Sequence, residues 1–176
     1  DGCLPEQIDK VWTDFGMPMG PFAMSDLAGL DVGYRIRKEQ EATRSSNVRY
    51  VHIADKVVEM GRLGQKTGGG FFDYIDGSRV PVPNADVTAL VLAESERKGI
   101  ERREYSDEEI LNALTDLMTN EGAKVLEEGI AMRPVDVDIT YIFGYGYPAY
   151  RGGPMHRADA VGLAESLARI KARYEE

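Results

Sequence analysis

Apolar residues recur along this chain at the three-to-four-residue spacing of amphipathic helices, and glycine and proline punctuate the intervals between them. Leu4-Pro5-Glu6-Gln7-Ile8-Asp9 places proline where a first helical turn tolerates it and acids near the positive end of the helix dipole. This predicts a short helix to about residue 15, stopped by Gly16. Pro18, Gly20 and Pro21 predict a rigid elbow, and residues 30 to about 44 a longer helix with a charged outer face. Val51, Ala54, Val57 and Val58 give residues 50–60 the helical period, closed by Gly61.

Residues 64–74 break this pattern. Three consecutive glycines, Gly68-Gly69-Gly70, lose too much backbone entropy to sit in a helix, and Phe71, Phe72 and Tyr74 favour an extended path. An ordered loop or short strand is expected. Asp76-Gly77-Ser78 and Pro81-Val82-Pro83-Asn84 break any regular element, so the join between two units belongs here. Beyond it the pattern predicts a connecting helix over 87–98. Ser106 and Glu109 have capping-box spacing before a long helix, whose inner face would carry Leu111, Leu114, Met118, Gly122 and Val125. A final helix is expected over 163–174.

The chain also contains itself twice. Asp1-Gly2, Pro5, Ile8-Asp9, Phe15-Gly16, Pro18, Gly20-Pro21, Asp26 and Gly29-Leu30 return in order as Glu128-Gly129, Pro134, Val137-Asp138, Phe143-Gly144, Pro148, Gly153-Pro154, Asp159 and Gly162-Leu163. The offset grows from 129 at Pro5 and Pro134 to 133 at Gly29 and Gly162, which puts four extra residues in the second elbow. Glycine and proline answer specific backbone demands, so their ordered return argues for duplication. The expected fold is all-α, with two tandem related helical domains at 1–80 and 106–176 and a connecting segment at 81–105. A long helix precedes Gly129 and nothing precedes Gly2, so the first copy reads as lacking its lead helix.

Composition narrows the partners. With 176 residues and 43% hydrophobic content, the chain can bury a core. No apolar run approaches the roughly 18 residues of a membrane span, and no signal peptide is visible. A single cysteine, Cys3, excludes an intrachain disulfide and suits an intracellular compartment, whether cytosol, mitochondrial matrix or peroxisome. The net charge of −9 argues against nucleic acid. Residues 35–66 depart from this, with eight basic residues against four acidic ones. A solvated helix face accounts for that excess, and a site for a phosphate-bearing ligand is the sharper alternative.

The residues offer no catalytic constellation. Only His52 and His156 could act as imidazole bases; His52 has only Asp55 within a helical turn, and His156 reads as a hydrogen-bonding residue that fixes its elbow. Two distant histidines and one cysteine do not make a metal site. No Gly-x-Gly-x-x-Gly lies between a strand and a helix, and the phosphate-loop lookalike ending in Lys66-Thr67 has Gln65 where glycine is required.

Three segments carry a resemblance. Residues 16–22 (GMPMGPF), 25–31 (SDLAGLD) and 62–74 (RLGQKTGGGFFDY) together resemble the C-terminal helical domain of 3-hydroxyacyl-CoA dehydrogenases. Residues 120–129 (NEGAKVLEEG) and 143–156 (FGYGYPAYRGGPMH) resemble the additional C-terminal domain of the multifunctional fatty-acid oxidation enzymes of the alpha-subunit type. The resemblance implies a parent enzyme in fatty-acid β-oxidation that oxidises the 3-hydroxyl of an acyl-CoA by hydride transfer to NAD. In multifunctional members an enoyl-CoA hydratase domain stands earlier in the polypeptide. It also implies that NAD and the catalytic His and Glu belong to a nucleotide-binding domain outside this chain, which alone would be inactive. Pro18, Met19, Gly20 and Pro21 match the family's elbow over the acyl part of the substrate, and an apolar wall with an adaptable Met suits that role. Phe143 and Tyr145, with Tyr147, occupy the second elbow and are the further substrate-contact candidates. Both a monomer and a homodimer fit, and a free-standing helical module that binds acyl-CoA or another protein is the competing reading.

Overall fold

The computed structural model describes residues 2–45 and 50–175, the side chains of the last two excepted. Among them helix dominates: α1 Pro5–Phe15, α2 Pro21–Ala28, α3 Leu30–Glu39, α4 Ile53–Glu59, α5 Ala85–Arg97, α6 Asp107–Glu127, α7 Pro134–Tyr145, α8 Pro154–Val161 and α9 Leu163–Glu175. The one sheet is a two-residue antiparallel pair, β1 Phe72–Asp73 with β2 Val82–Pro83, in which Phe72 faces Pro83 and Asp73 faces Val82. The chain is all-α, as expected. Asp1 of the repeat and Arg49 of the basic stretch lie outside the described residues.

Several boundaries differ from the periodicity. What reads as elbow and linker between Gly20 and Leu30 holds a helix, α2, and α8 occupies the matching place between Gly153 and Leu163. Each opens with proline at its first position and ends at a glycine with nearly the same backbone, Gly29 at φ 97, ψ 118 and Gly162 at φ 107, ψ 118. Eight residues are too few for a periodic signal, so the caps are the only sequence evidence for them. The α-helical part of α3 stops at Glu39, and a 3-10 turn over Gln40–Ala42 takes up the rest of the expected length. The capping box forms: Ser106 Oγ accepts from the Glu109 amide at 3.2 Å and Glu109 Oε2 accepts from the Ser106 amide at 2.9 Å.

Contacts divide the chain into two units, residues 1–10 with 19–104 and residues 11–18 with 105–176. In the first, Ala23, Leu30, Val57, Phe71, Phe72, Tyr74 and Val87 form the core, with Met19 and Phe22 packed against it. Burying side chains of this kind contributes about 1.5–3 kcal/mol each. The glycine-rich loop is ordered because polar groups replace the helix hydrogen bonds it cannot make. Arg62 donates from Nε to the Gly70 carbonyl at 2.7 Å and from Nη2 to the Phe72 carbonyl at 3.1 Å and to Asp73 Oδ1 at 2.7 Å.

In the second unit Trp12, Phe15, Met17 and Tyr147 form the core, flanked by Leu111, Leu114 and Met118 of α6. Trp12 stacks on Phe15 at 5.7 Å, Tyr147 meets Phe15 edge-on at 5.5 Å, and the Arg151 guanidinium covers Phe15 at 4.2 Å. A second face of α6 buries Thr115, Asp116, Thr119 and Gly122. Two of these residues approach α8 closely: Thr119 Oγ1 donates to the Pro154 carbonyl at 3.2 Å, and a Cβ on Gly122 would lie 2.6 Å from Met155 Sδ.

Candidate functional site

The elbow in the first unit is built from α1. Asp9, only 7% exposed, turns its carboxylate to the start of α2, where Oδ1 accepts from the Phe22 amide at 2.9 Å and Oδ2 from the Ala23 amide at 2.8 Å. Gly20 precedes α2 without a side chain to cap it, so Asp9 supplies the cap from another helix. The backbone of Gly20 lies directly on this carboxylate, and a Cβ there would collide with it. Burial pushes the Asp9 carboxyl above its ordinary range, against the opposing pull of the two amide bonds.

The second unit repeats the arrangement. Asp138 of α7 accepts from the Met155 amide at 2.7 Å and the His156 amide at 3.1 Å, and a Cβ on Gly153 would collide with its carboxylate. Burial again raises the carboxyl, opposed by the amides of Met155 and His156. The elbow-fixing bond expected of His156 therefore comes from its backbone, while its side chain is exposed.

The sequence-derived candidates fall in different surroundings. Gly20 is buried on Asp9, Pro21 opens α2, and Met19 is half-buried against the first core. Pro18 is exposed and belongs by contact to the second unit, where it packs on Gly146. Phe143 is 85% and Tyr145 58% exposed, whereas Tyr147 is 2% exposed. Tyr145 lines an apolar cleft of about 510 Å³ between α6, α7 and the turn carrying Ile130, Ala131 and Met132; Phe143 does not. Sequence reasoning did not single out Asp9, Asp138 or this cleft. The return of Ile8-Asp9 as Val137-Asp138 was the available signal for the two aspartates, while the cleft had none.

The other chemistry-bearing residues are engaged internally. Asp55, the carboxylate one helical turn from His52, accepts from Arg37 Nε at 2.7 Å and from the Tyr50 hydroxyl. Lys66 pairs with Asp31, and Thr67 Oγ1 accepts from the Leu63 amide at 2.9 Å and lies 3.1 Å from the Gly64 and Gly69 carbonyls. Within the basic stretch Lys56 pairs with Glu94 at 2.8 Å and Arg44 stacks over Tyr50 at 3.8 Å. The local positive charge is largely spent on internal partners. No helix among the described residues is long and apolar enough to cross a membrane.

A helical domain with a proline-opened, aspartate-capped elbow and a clasped glycine-rich loop is the class these features define. Residues 1–74 match the family described as 3-hydroxyacyl-CoA dehydrogenase, C-terminal domain. The chain is 42% identical over 183 aligned residues to the peroxisomal bifunctional enzyme of Danio rerio, covering 97% of this chain and 26% of that protein. It is 33% identical to the fatty acid oxidation complex subunit alpha of a Shewanella strain, covering 99% of this chain and 24% of that one. Among solved structures, the dehydrogenase part of multifunctional enzyme 1 from C. elegans matches with a TM-score of 0.65 and 29% identity, over 84% of this chain and 32% of that one. The chain thus spans about a quarter of the length of the curated relatives it matches.

Proposed function

We propose that this chain is the substrate-side and packing region of an NAD-dependent 3-hydroxyacyl-CoA dehydrogenase within a multifunctional enzyme of fatty-acid β-oxidation. Likeness to the Danio rerio enzyme over 97% of the chain carries the reading. The reaction is oxidation of a 3-hydroxyacyl-CoA to the 3-oxoacyl-CoA. Residues of this chain do not fit NAD: the glycine-rich loop at 64–70 lies between α4 and β1 and lacks the dinucleotide pattern, and its Lys66 and Thr67 are bound to Asp31 and to the loop itself. The cofactor is therefore assigned to a nucleotide-binding domain elsewhere in the polypeptide, which is also this chain's proposed partner.

Pro18, Met19, Gly20 and Pro21 are the proposed wall for the acyl part of the substrate, and Phe143 and Tyr145 are a second, outlying set. We assign the chain to tandem duplication, with units at 1–80 and 106–176 joined by 81–105. The matched pairs Asp9 with Asp138, Gly20 with Gly153, Pro21 with Pro154 and Gly29 with Gly162 support this, because each pair does the same mechanical task. The proposed compartment is intracellular, in keeping with a relative named as peroxisomal.

The test is NADH formation from 3-hydroxyacyl-CoA and NAD. The natural polypeptide carrying this sequence should produce it, and the 176-residue chain alone should not; turnover by the chain alone would overturn the assignment. Micromolar binding of acyl-CoA by the isolated chain would favour a free-standing binding module instead, and size-exclusion chromatography would separate monomer from homodimer.

A further inference from the structure

We infer that Asp9 is a positioning residue for acyl-CoA binding, holding Gly20 and Pro21 of the elbow in register, an inference that rests on the function proposed above. The helix start at Gly20 has no side-chain cap of its own, and the buried Asp9 carboxylate supplies one from α1. That group receives the Phe22 and Ala23 amides and sits under Gly20. Met19 and Phe22, on either side of Gly20-Pro21, pack on the core formed by Ala23 and Phe71, with Phe22 meeting Phe71 edge-on at 4.8 Å. One face of the segment is therefore fixed by packing and the other by Asp9. A shift of the carboxylate would move the backbone of Gly20 and the proline beside it, and small displacements of a positioning element weaken ligand binding out of proportion to their size.

The molecule carries its own control. Asp138 makes the same bidentate cap on the second elbow, with the same glycine pressed on it and the same proline opening the helix, but that elbow follows the exposed Phe143 and Tyr145. Loss of either aspartate should destabilise the fold to a similar degree. Loss of Asp9 should change substrate binding far more, because Asp9 holds the proposed wall itself, whereas Asp138 caps a helix start about ten residues beyond the outlying Phe143 and Tyr145.

The experiment uses the natural polypeptide. Asp9→Asn removes one of the two amide acceptors and should raise KM for 3-hydroxyacyl-CoA about tenfold, a binding change of about 1.4 kcal/mol, with kcat within twofold and KM for NAD unchanged. Asp138→Asn should leave all three values within twofold while lowering Tm comparably. Asp9→Glu keeps both acceptors but pushes on Gly20, and should raise the same KM without loss of the fold. In the unaltered protein, acetoacetyl-CoA should slow hydrogen exchange at the Phe22 and Ala23 amides and leave the Met155 and His156 amides unaffected. Equal KM in the two Asn variants, or no differential protection between the two elbows, would overturn the inference while leaving the dehydrogenase reading intact. An unaltered polypeptide that forms no NADH would overturn both.

Discussion

Gly70 lies against Asp26 so closely that a Cβ on the glycine would penetrate the aspartate carboxylate. The contact closes a clasp across more than forty residues. Asp26, 1% exposed on α2, accepts from the Phe71 amide at 2.8 Å, the Phe72 amide at 3.0 Å and the Tyr74 hydroxyl at 3.0 Å. Burial raises the Asp26 carboxyl despite these bonds, and burial beside Asp26 raises the Tyr74 hydroxyl. Asp26→Ala should therefore destabilise the chain by about 3 kcal/mol, since it leaves two buried amides without an acceptor. Gly70→Ala should cost about 2 kcal/mol by overpacking. Urea unfolding followed by circular dichroism measures both; a Gly70→Ala protein as stable as the parent would show that the clasp yields.

A second buried carboxylate depends on a single cation for its strongest pairing. Arg169 donates to Asp116 from Nε at 2.7 Å and from Nη2 at 2.9 Å. Asp116 is almost wholly buried. Arg169→Ala should cost about 3 kcal/mol because it strands this charge. Asp116→Leu combined with Arg169→Met should recover most of that loss in the same unfolding assay, and a double variant no better than Arg169→Ala would contradict the account.

Glu94 gives the pH dependence a definite sign. Hydrogen bonds from Arg97 and Lys56 hold its carboxyl far below the ordinary 4.5. A depressed folded value means that the stabilisation is complete above about 4.5 and is lost as pH falls toward the folded value. The stability gap between the parent and Glu94→Gln should therefore be constant near neutrality and shrink from about pH 5 downward. A gap that widens on acidification would reverse this sign.

Tyr147 carries a cost without a return. Its hydroxyl is buried with no hydrogen-bond partner among the described residues, and burial pushes it up to about 12. Tyr147→Phe keeps the edge-on contact with Phe15 and removes a desolvated polar group, so Tm should stay level or rise, by up to about 1 kcal/mol in stability. A clear fall in Tm would mean that the hydroxyl is satisfied by an ordered water.

Lys66 tests whether the glycine loop touches the cofactor. Its pairing with Asp31 makes it a structural cation. In the natural polypeptide, Lys66→Ala should leave KM for NAD within twofold, and a tenfold rise would return this loop to the candidate cofactor contacts.

The helical class, the capping box at Ser106 and the irregular course of 64–74 were legible because each depends on local spacing or backbone permission: 3.6-residue periodicity, an i, i+3 cap, and glycines that cannot hold a helix. The helices α2 and α8 were not, because eight residues give no period and only their proline starts and glycine ends announce them. The elbow aspartates illustrate the harder limit. Asp9, Asp26 and Asp138 look in the sequence like ordinary helix-surface acids, and Asp159, at the repeat position of Asp26, is indeed exposed.

What the sequence determined by itself was therefore the helical class, the longer helices with their caps, the recurrence of Gly-Pro elbows and the likeness of residues 1–74 to the dehydrogenase C-terminal domain. Tertiary structure alone decided which carboxylates became buried acceptors, that Phe143 stays in solvent while Tyr147 enters a core, and that Tyr145 reaches a cleft. The physical reason is that periodicity and capping act over one helical turn, whereas the burial of a polar group depends on donors brought to it from distant segments, as Phe71 and Phe72 are brought to Asp26.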